Sequence, residues 1–182
     1  TYSDLGDHKR ALEYQRKALT ILEGALQPGD LGLVASYHSI ACTYGQLGNW
    51  RKALDYALIA LAIQDKALPA EHPDRAQAYN NVASAYNGCG NFKAALEYML
   101  KALVIQEKKF PGNHPNLAVS YSNIAMIYHE MGNFQEATLY MDRAADSINS
   151  SSLPKDHPHR VHITELAPQF AKDAKMQQEL MV

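Results

Sequence analysis

The sequence predicts an all-α protein of antiparallel helix pairs stacked one on the next, and three observations predict it. Gly6-Asp7, Gly48-Asn49, Gly90-Asn91 and Gly132-Asn133 recur every 42 residues, each followed by a ring at His8, Trp50, Phe92 or Phe134. Alanine keeps the same register at Ala11, Ala53, Ala95 and Ala137 and again at Ala18, Ala60, Ala102 and Ala144, and tyrosine does so at Tyr2, Tyr44, Tyr86 and Tyr128. Within one unit the apolar residues are spaced as on helices: Tyr79, Val82, Ala83 and Tyr86 form one stripe, and Phe92, Ala95, Leu96, Met99, Ala102 and Leu103 a second. A fixed period of this length marks a repeat architecture, in which each unit buries its apolar face against its neighbours.

Each element has a local reason. The Gly of each Gly-Asx pair stands where a first helix must stop, because a left-handed C-terminal residue is least strained without a Cβ. The Asn or Asp after it can cap the second helix. Alanine in register lets helices approach closely, and the Tyr, Trp and Phe rings fill the space between them. The linkers Leu68-Pro69-Ala70-Glu71-His72-Pro73, Phe110-Pro111-Gly112-Asn113-His114-Pro115 and Leu153-Pro154-Lys155-Asp156-His157-Pro158 each read as a turn followed by proline at a helix start. His72, His114 and His157 therefore read as turn or capping residues. These signals place helices over 7–26, 31–46, 49–68, 73–88, 91–110, 115–130, 133–149 and 159–180.

The two ends depart from the pattern. Thr1-Tyr2 aligns with Thr43-Tyr44, the last part of a first helix, so the first unit (1–32) is expected to be partial and the chain to be cut from a longer array. Leu12, Leu19 and Leu22 of helix 7–26 are then expected to lie uncovered and to promote end-to-end self-association. Full units are expected over 33–74, 75–116 and about 117–159, closing an array over 1–158. The last linker carries one extra residue in the Ser-rich run Asn149 to Ser152. From His159 onward only Leu166-Ala167 and Phe170 echo the repeat, with Pro168 interrupting. Residues 159–182 read as a degenerate capping helix, kinked or ended near Pro168.

Composition excludes several function classes. Of 182 residues, 47% are hydrophobic and 20% charged, enough apolar content for a sizeable core. A net charge of −2 offers no cationic excess for phosphates, which argues against a nucleic-acid partner. The longest apolar run, Tyr56 to Ile63, falls far short of the roughly 20 residues of a membrane span, and residues 1–20 lack a signal-peptide layout. No membrane partner and a cytoplasmic location are expected, and Cys42 and Cys89, which fit no metal spacing, agree with a reducing compartment. No phosphate-binding loop or nucleophile motif appears, and Glu13, Asp55 and Glu97 recur at solvent-facing spacing, so no enzymatic activity and no cofactor are expected. His157, His159 and His162 lie close in sequence, but no acidic or thiolate residue is placed to complete a metal site.

Residues 86–92 (Tyr-Asn-Gly-Cys-Gly-Asn-Phe), continuing Ala95-Leu96-Glu97-Tyr98 and Lys101-Ala102-Leu103, resemble the tetratricopeptide repeat (TPR). The usual period of that repeat is 34 residues. The longer unit here, with Tyr79-Asn80-Asn81-Val82-Ala83 and His114-Pro115, resembles the repeats of kinesin light chains and their relatives. The resemblance implies a right-handed α-α superhelix, a TPR solenoid, whose first helices line a concave surface that binds a protein or peptide partner.

The residues off the packing stripe of those first helices are the candidates. They are Ala35, His38, Ser39, Cys42, Gly45 and Gln46 in one unit. The next offers Gln77, Asn80, Asn81, Ser84, Asn87 and Gly88. The third offers Val119, Ser122, Asn123, Met126, His129 and Glu130. No Lys or Arg stands among them. The carboxylate grip of chaperone-adaptor relatives is therefore missing, as are the basic residues with which kinesin light chains select acidic cargo. What remains is amide and hydroxyl. Asn81 and Asn123 occupy equivalent positions one unit apart, with Ser39 before them, and a carboxamide can donate to and accept from an extended backbone. These two either contact a bound peptide or hydrogen-bond to adjacent helices or caps. The candidate peptide contacts are Asn81, Asn123, Asn80, Ser39, His38, Gln77, Ser84, Asn87, Ser122 and Met126, the last as an adaptable apolar contact. The reading is a non-enzymatic interaction module; the alternative is a spacer or sensor array within a larger signalling protein.

Overall fold

The structure is a computed structural model, and it describes residues 7–180. In chain order the helices are α1 (His8–Ala25), α2 (Val34–Gln46), α3 (Trp50–Ala67), α4 (Pro73–Gly88), α5 (Phe92–Lys109), α6 (Pro115–Glu130), α7 (Phe134–Asn149) and α8 (Pro158–Leu180). No strand occurs among the described residues. Tyr2 and Gly6 lie outside them, as does the expected tail of a preceding helix. The chain divides within α5 into two compact units, one ending at Tyr98 and the other starting at Met99.

The punctuation works as the residue types require. Gly48, Gly90 and Gly132 have φ of 72°, 75° and 74°, and each closes its helix with paired bonds. At the first, Gly48 N–H donates to Gly45 C=O and Asn49 N–H to Tyr44 C=O, both at 2.9 Å. Asp7, Asn49 and Asn91 cap the next helix by accepting the amides of Arg10, Lys52 and Ala94 at 3.1–3.2 Å. Asn133 makes no such bond. The His-Pro linkers cap through the ring: Nδ1 of His72, His114 and His157 accepts the amide two residues on, at 3.2, 3.2 and 3.3 Å. Before α2, which lacks this motif, Asp30 accepts from Gly32 N–H at 2.7 Å and starts a 3₁₀ turn, Leu31–Leu33, where an α-helix was expected from residue 31.

In the first unit α2 packs between α1 and α3, and α3 packs on α4. The core joins Leu19 of α1, Tyr37, Ile40 and Tyr44 of α2, Ala53, Ala60 and Ile63 of α3, and Ala85 of α4. Leu19 is thus buried, contrary to the sequence expectation, and Leu12 and Leu22 pack half-buried beside it. α2 covers this stripe. The apolar residues α1 leaves exposed are others and include Tyr14, Ala18 and Ile21, the last 72% accessible. Ala18 departs from its register mates Ala60, Ala102 and Ala144, which are fully buried.

Two further devices recur at 42-residue spacing. Tyr44 stacks on Tyr56, Tyr86 on Tyr98 and Tyr128 on Tyr140, with centroids 5.5–5.7 Å apart. Near the end of the second helices, Glu23 accepts from Tyr37 Oη at 2.7 Å and Glu107 from Tyr121 Oη at 2.8 Å. Between them stands Asp65, one methylene shorter. There Arg75 intervenes: its guanidinium pairs with Asp65 and donates to Tyr79 Oη at 2.8 Å. Leu33 and Leu117, its register mates, are simply buried.

In the second unit Ala118 and Ala125 of α6, Ala137, Met141, Ala144 and Ile148 of α7, and Ile163 and Phe170 of α8 form one core. The extra linker residue is absorbed in a turn held by Arg160, which donates to the carbonyls of Leu153 (2.7 Å) and Asn149 (3.1 Å). α8 neither ends nor restarts at Pro168; the helix runs through it to Leu180. Proline removes the bond to the Thr164 carbonyl. Burial of Ile163 and Phe170 on either side, and the bond from Thr138 Oγ1 to Phe170 C=O at 3.1 Å, hold both halves on α7.

Candidate functional site

α2 and α4 lie side by side in the first unit, and α3 contributes Trp50 and Ala53 beneath them. The indole of Trp50 rests against the ends of both helices because each offers a glycine there. A Cβ on Gly45 would come 2.9 Å from Trp50 Cζ3, and one on Gly88 would come 2.1 Å from Cδ2. A cavity of about 260 Å³ opens beside the ring, lined by Ala41, Cys42, Gln46, Asn81, Ser84 and Ala85 among others. No ionisable carboxylate, ammonium or guanidinium lines it. Its floor is apolar and its rim carries amide and hydroxyl groups.

The predicted residues fall into three groups. Ser39, Gln77, Ser84 and Asn87 are exposed, and Asn81 is half-buried at the cavity. Asn81 Oδ1 already accepts from Gln77 Nε2 at 3.1 Å, a bond within α4, so one acceptor site is shared with its own helix. His38 and Asn80 are recessed: His38 Nε2 and Asn80 Oδ1 are both buried without a hydrogen-bond partner. Burial pushes the His38 imidazole below its usual pKa, against the upward pull of the Asp74 carboxylate. In the second unit Asn123 and Met126 are exposed on α6, Met126 at 42%. Ser122 is a correction, since it is 3% accessible and turned into the helix packing, beyond reach of a ligand. Gly45, read as off the packing stripe, is buried under Trp50.

Cys42 lines the cavity with an exposed side chain, and partial desolvation by its neighbours pushes the thiol pKa up. Among the described residues no group of three or more His, Cys, Asp or Glu side chains is placed to hold a metal. His129, grouped with the inner face in the sequence, instead bonds Asp173 of α8 at 2.9 Å and sits between the Phe134 and Phe170 rings. Trp50 is the residue that sequence reasoning assigned to packing alone. The signal was present as a paired irregularity: Trp replaces Phe where Gly88 replaces the Gln46 and Glu130 of its register mates.

Helix pairs of this kind, closed by left-handed Gly and joined through alanine seams, match the family model of the tetratricopeptide repeat over residues 1–66 and 74–149. The chain belongs to the tetratricopeptide repeat family. Among solved structures it is similar to a kinesin-light-chain-like protein of Podosopora anserina with nearly identical TPR-like repeats. The two are 26% identical, with a TM-score of 0.84 covering 98% of this chain and 84% of that one, and a single-substitution variant of that protein matches equally. It also shares its fold with BtubC (BKLC) from P. vanneervenii: 22% identity and a TM-score of 0.84 over 96% of this chain and 69% of that one. None of the curated proteins compared with the chain matches it. The repeats are thus tetratricopeptide repeats of the kinesin-light-chain-like kind, an architecture of protein-interaction modules. No helix among the described residues is long and apolar enough to cross a membrane.

Proposed function

We propose that this tetratricopeptide repeat chain is a non-enzymatic, cytoplasmic interaction module that holds an extended segment of a partner protein against its first helices. The observation that supports this is the chemistry of the α2–α4 face: an uncharged cavity beside Trp50, ringed by Gln46, Asn81 and Ser84. An extended peptide presents alternating N–H and C=O groups, and carboxamides can serve both. A charged side chain entering this cavity would lose its hydration with no counter-ion to meet it, so the segment is one that presents an apolar residue there. At about 260 Å³ the cavity is smaller than the 300–1,000 Å³ usual for a small-molecule ligand, and it suits one side chain of a larger partner. In the second unit Asn123 and Met126 offer the same pairing of amide and apolar contact.

Binding to a peptide array by the wild type and by Asn81→Ala/Asn123→Ala tests the reading. A loss of several-fold in affinity across many sequences is expected, because backbone contacts do not discriminate; unchanged affinity refutes the role of the two asparagines. End-to-end self-association, with Leu19 buried, rests on the exposed Tyr14, Ala18 and Ile21. Light scattering at millimolar protein tests it, and a strictly monomeric signal removes it.

A further inference from the structure

Gln77 and Asn81 stand one turn apart on α4, at the i, i+4 spacing that brings side chains together. Gln77 Nε2 donates to Asn81 Oδ1 at 3.1 Å. We propose, resting on the peptide-holding role given to Asn81 above, that Gln77 is a positioning residue: it turns the Asn81 carboxamide so that the α2–α4 cavity offers hydrogen-bond donors, and the partner segment meets them with a backbone carbonyl. Asn81 lines the cavity together with Ser84 and Ala85, which follow it on the helix, whereas Gln77 does not line it. Oδ1 is therefore turned back along α4, and Nδ2 is the end left toward the cavity. Among the described residues Nδ2 makes no hydrogen bond, so both of its N–H groups are available.

The register mates lack this device. Those of Asn81 are Ser39 and Asn123, and those of Gln77 are Ala35 and Val119. Alanine and valine side chains carry no donor, so Asn123, exposed on α6, has no side chain four residues before it to fix its carboxamide. The two asparagines, equivalent in the repeat, thus differ in role. Asn123 can turn to meet an N–H or a C=O, while Asn81 is set as a donor at the cavity beside Trp50.

A donor held in place before binding costs less to order when an acceptor arrives. On an extended segment the acceptor that recurs at every residue is the backbone carbonyl. A carboxylate would accept as well, but no lining side chain of the cavity offers it a counter-ion. The pair sits at the surface and its hydrogen bond biases the carboxamide by about twofold.

The test takes the tightest binder among the uncharged peptides of the array and three exchanges of Gln77. Gln77 is exposed, so the variants should fold, and an unchanged melting transition verifies it. Gln77→Lys retains a donor toward Oδ1 and should bind as wild type does. Gln77→Val removes the donor and should weaken binding about twofold. Gln77→Glu accepts from Nδ2, turns Oδ1 toward the partner and should weaken binding about fivefold or more. In Asn81→Ala protein the same three exchanges should have no effect, which separates positioning from the added charge of Lys or Glu. Replacing the peptide carbonyls one at a time by thiocarbonyls, which are weaker acceptors, should cost affinity at a bond beside the apolar residue, and that cost should vanish on Asn81→Ala. Gln77→Glu protein that binds as tightly as wild type, Gln77 effects that persist in Asn81→Ala, or thiocarbonyl costs independent of Asn81 overturn the proposal and leave the peptide-holding role standing. An array without binders, or with binders indifferent to Asn81→Ala, overturns both.

Discussion

Trp50 and Gly88 are fitted to each other: the hydrogen at position 88 stands where any Cβ would lie 2.1 Å from Cδ2 of the indole. The register mates of Gly88, Gln46 and Glu130, carry long side chains, and those of Trp50, Phe92 and Phe134, are smaller rings. Bulk added on α3 is thus matched by bulk removed from α4. Glycine within a helix ordinarily costs roughly 0.5–1 kcal/mol relative to alanine, yet the contact reverses the sign here. Gly88→Ala is expected to destabilise by about 1–3 kcal/mol through overpacking, and Trp50→Phe in the same chain should restore most of the loss. Urea denaturation of the two single variants and the double variant measures it. An additive double variant would show that the two residues are not fitted.

Arg75 bridges a gap that a longer acid would close. Asp65→Ala leaves a guanidinium whose side chain is 13% exposed without its anion, and should cost about 1–3 kcal/mol. The double exchange Asp65→Glu/Arg75→Leu rebuilds the arrangement of Glu23 with Tyr37 and Leu33. Because an ion pair with one largely buried partner, here Arg75 against an Asp65 that is 44% exposed, can be replaced by a packed apolar group and a hydrogen bond at little cost, this variant should melt no lower than wild type. Thermal unfolding followed by circular dichroism distinguishes the two outcomes.

Stability should fall at alkaline pH through two tyrosines. Desolvation first, and then the neighbouring Glu23 and Glu107 carboxylates, push Tyr37 and Tyr121 up to about 12. A folded-state pKa above the unfolded value of about 10 means the protonated form is favoured by folding. That contribution is complete below about pH 10 and is lost as pH rises through about 12. The urea midpoint of wild type should therefore decline between about pH 10 and 12 more steeply than that of Tyr37→Phe/Tyr121→Phe. Parallel profiles would sink the assignment.

Pro168 lies inside α8 without breaking it, and Thr164 C=O goes without its helical donor. Pro168→Ala supplies an N–H at an exposed position and should stabilise the second unit by up to about 3 kcal/mol. Hydrogen exchange at the amides following 168 reports it directly. Protection left unchanged would mean that the helix already tolerates the proline without loss.

Much of the fold was legible because its determinants are local and repeated. A left-handed Gly, an Asx cap and a His-Pro start each act within a few residues, and copies in register mark where helices begin and end. The departures came where one local rule met a distant contact: α8 passes Pro168 because Phe170 and Ile163 are buried on α7, and Leu19 is covered because α2 reaches back over it. For the candidate site, the accessibility of Ser39, Asn81 and Asn123 followed from helical spacing alone. Ser122 did not follow, since one helical step separates a groove residue from a packed one, and only the neighbouring helix fixes which it is.

By itself the sequence determined the helix pairs, their caps and the uncharged character of one face, since periodicity and residue chemistry are written along the chain. Tertiary structure alone decided that Trp50 packs against Gly88 beside a cavity and that Arg16 and Lys52 line one depression. Those pairs are 36 or more residues apart, and the distance between two side chains depends on how helices pack.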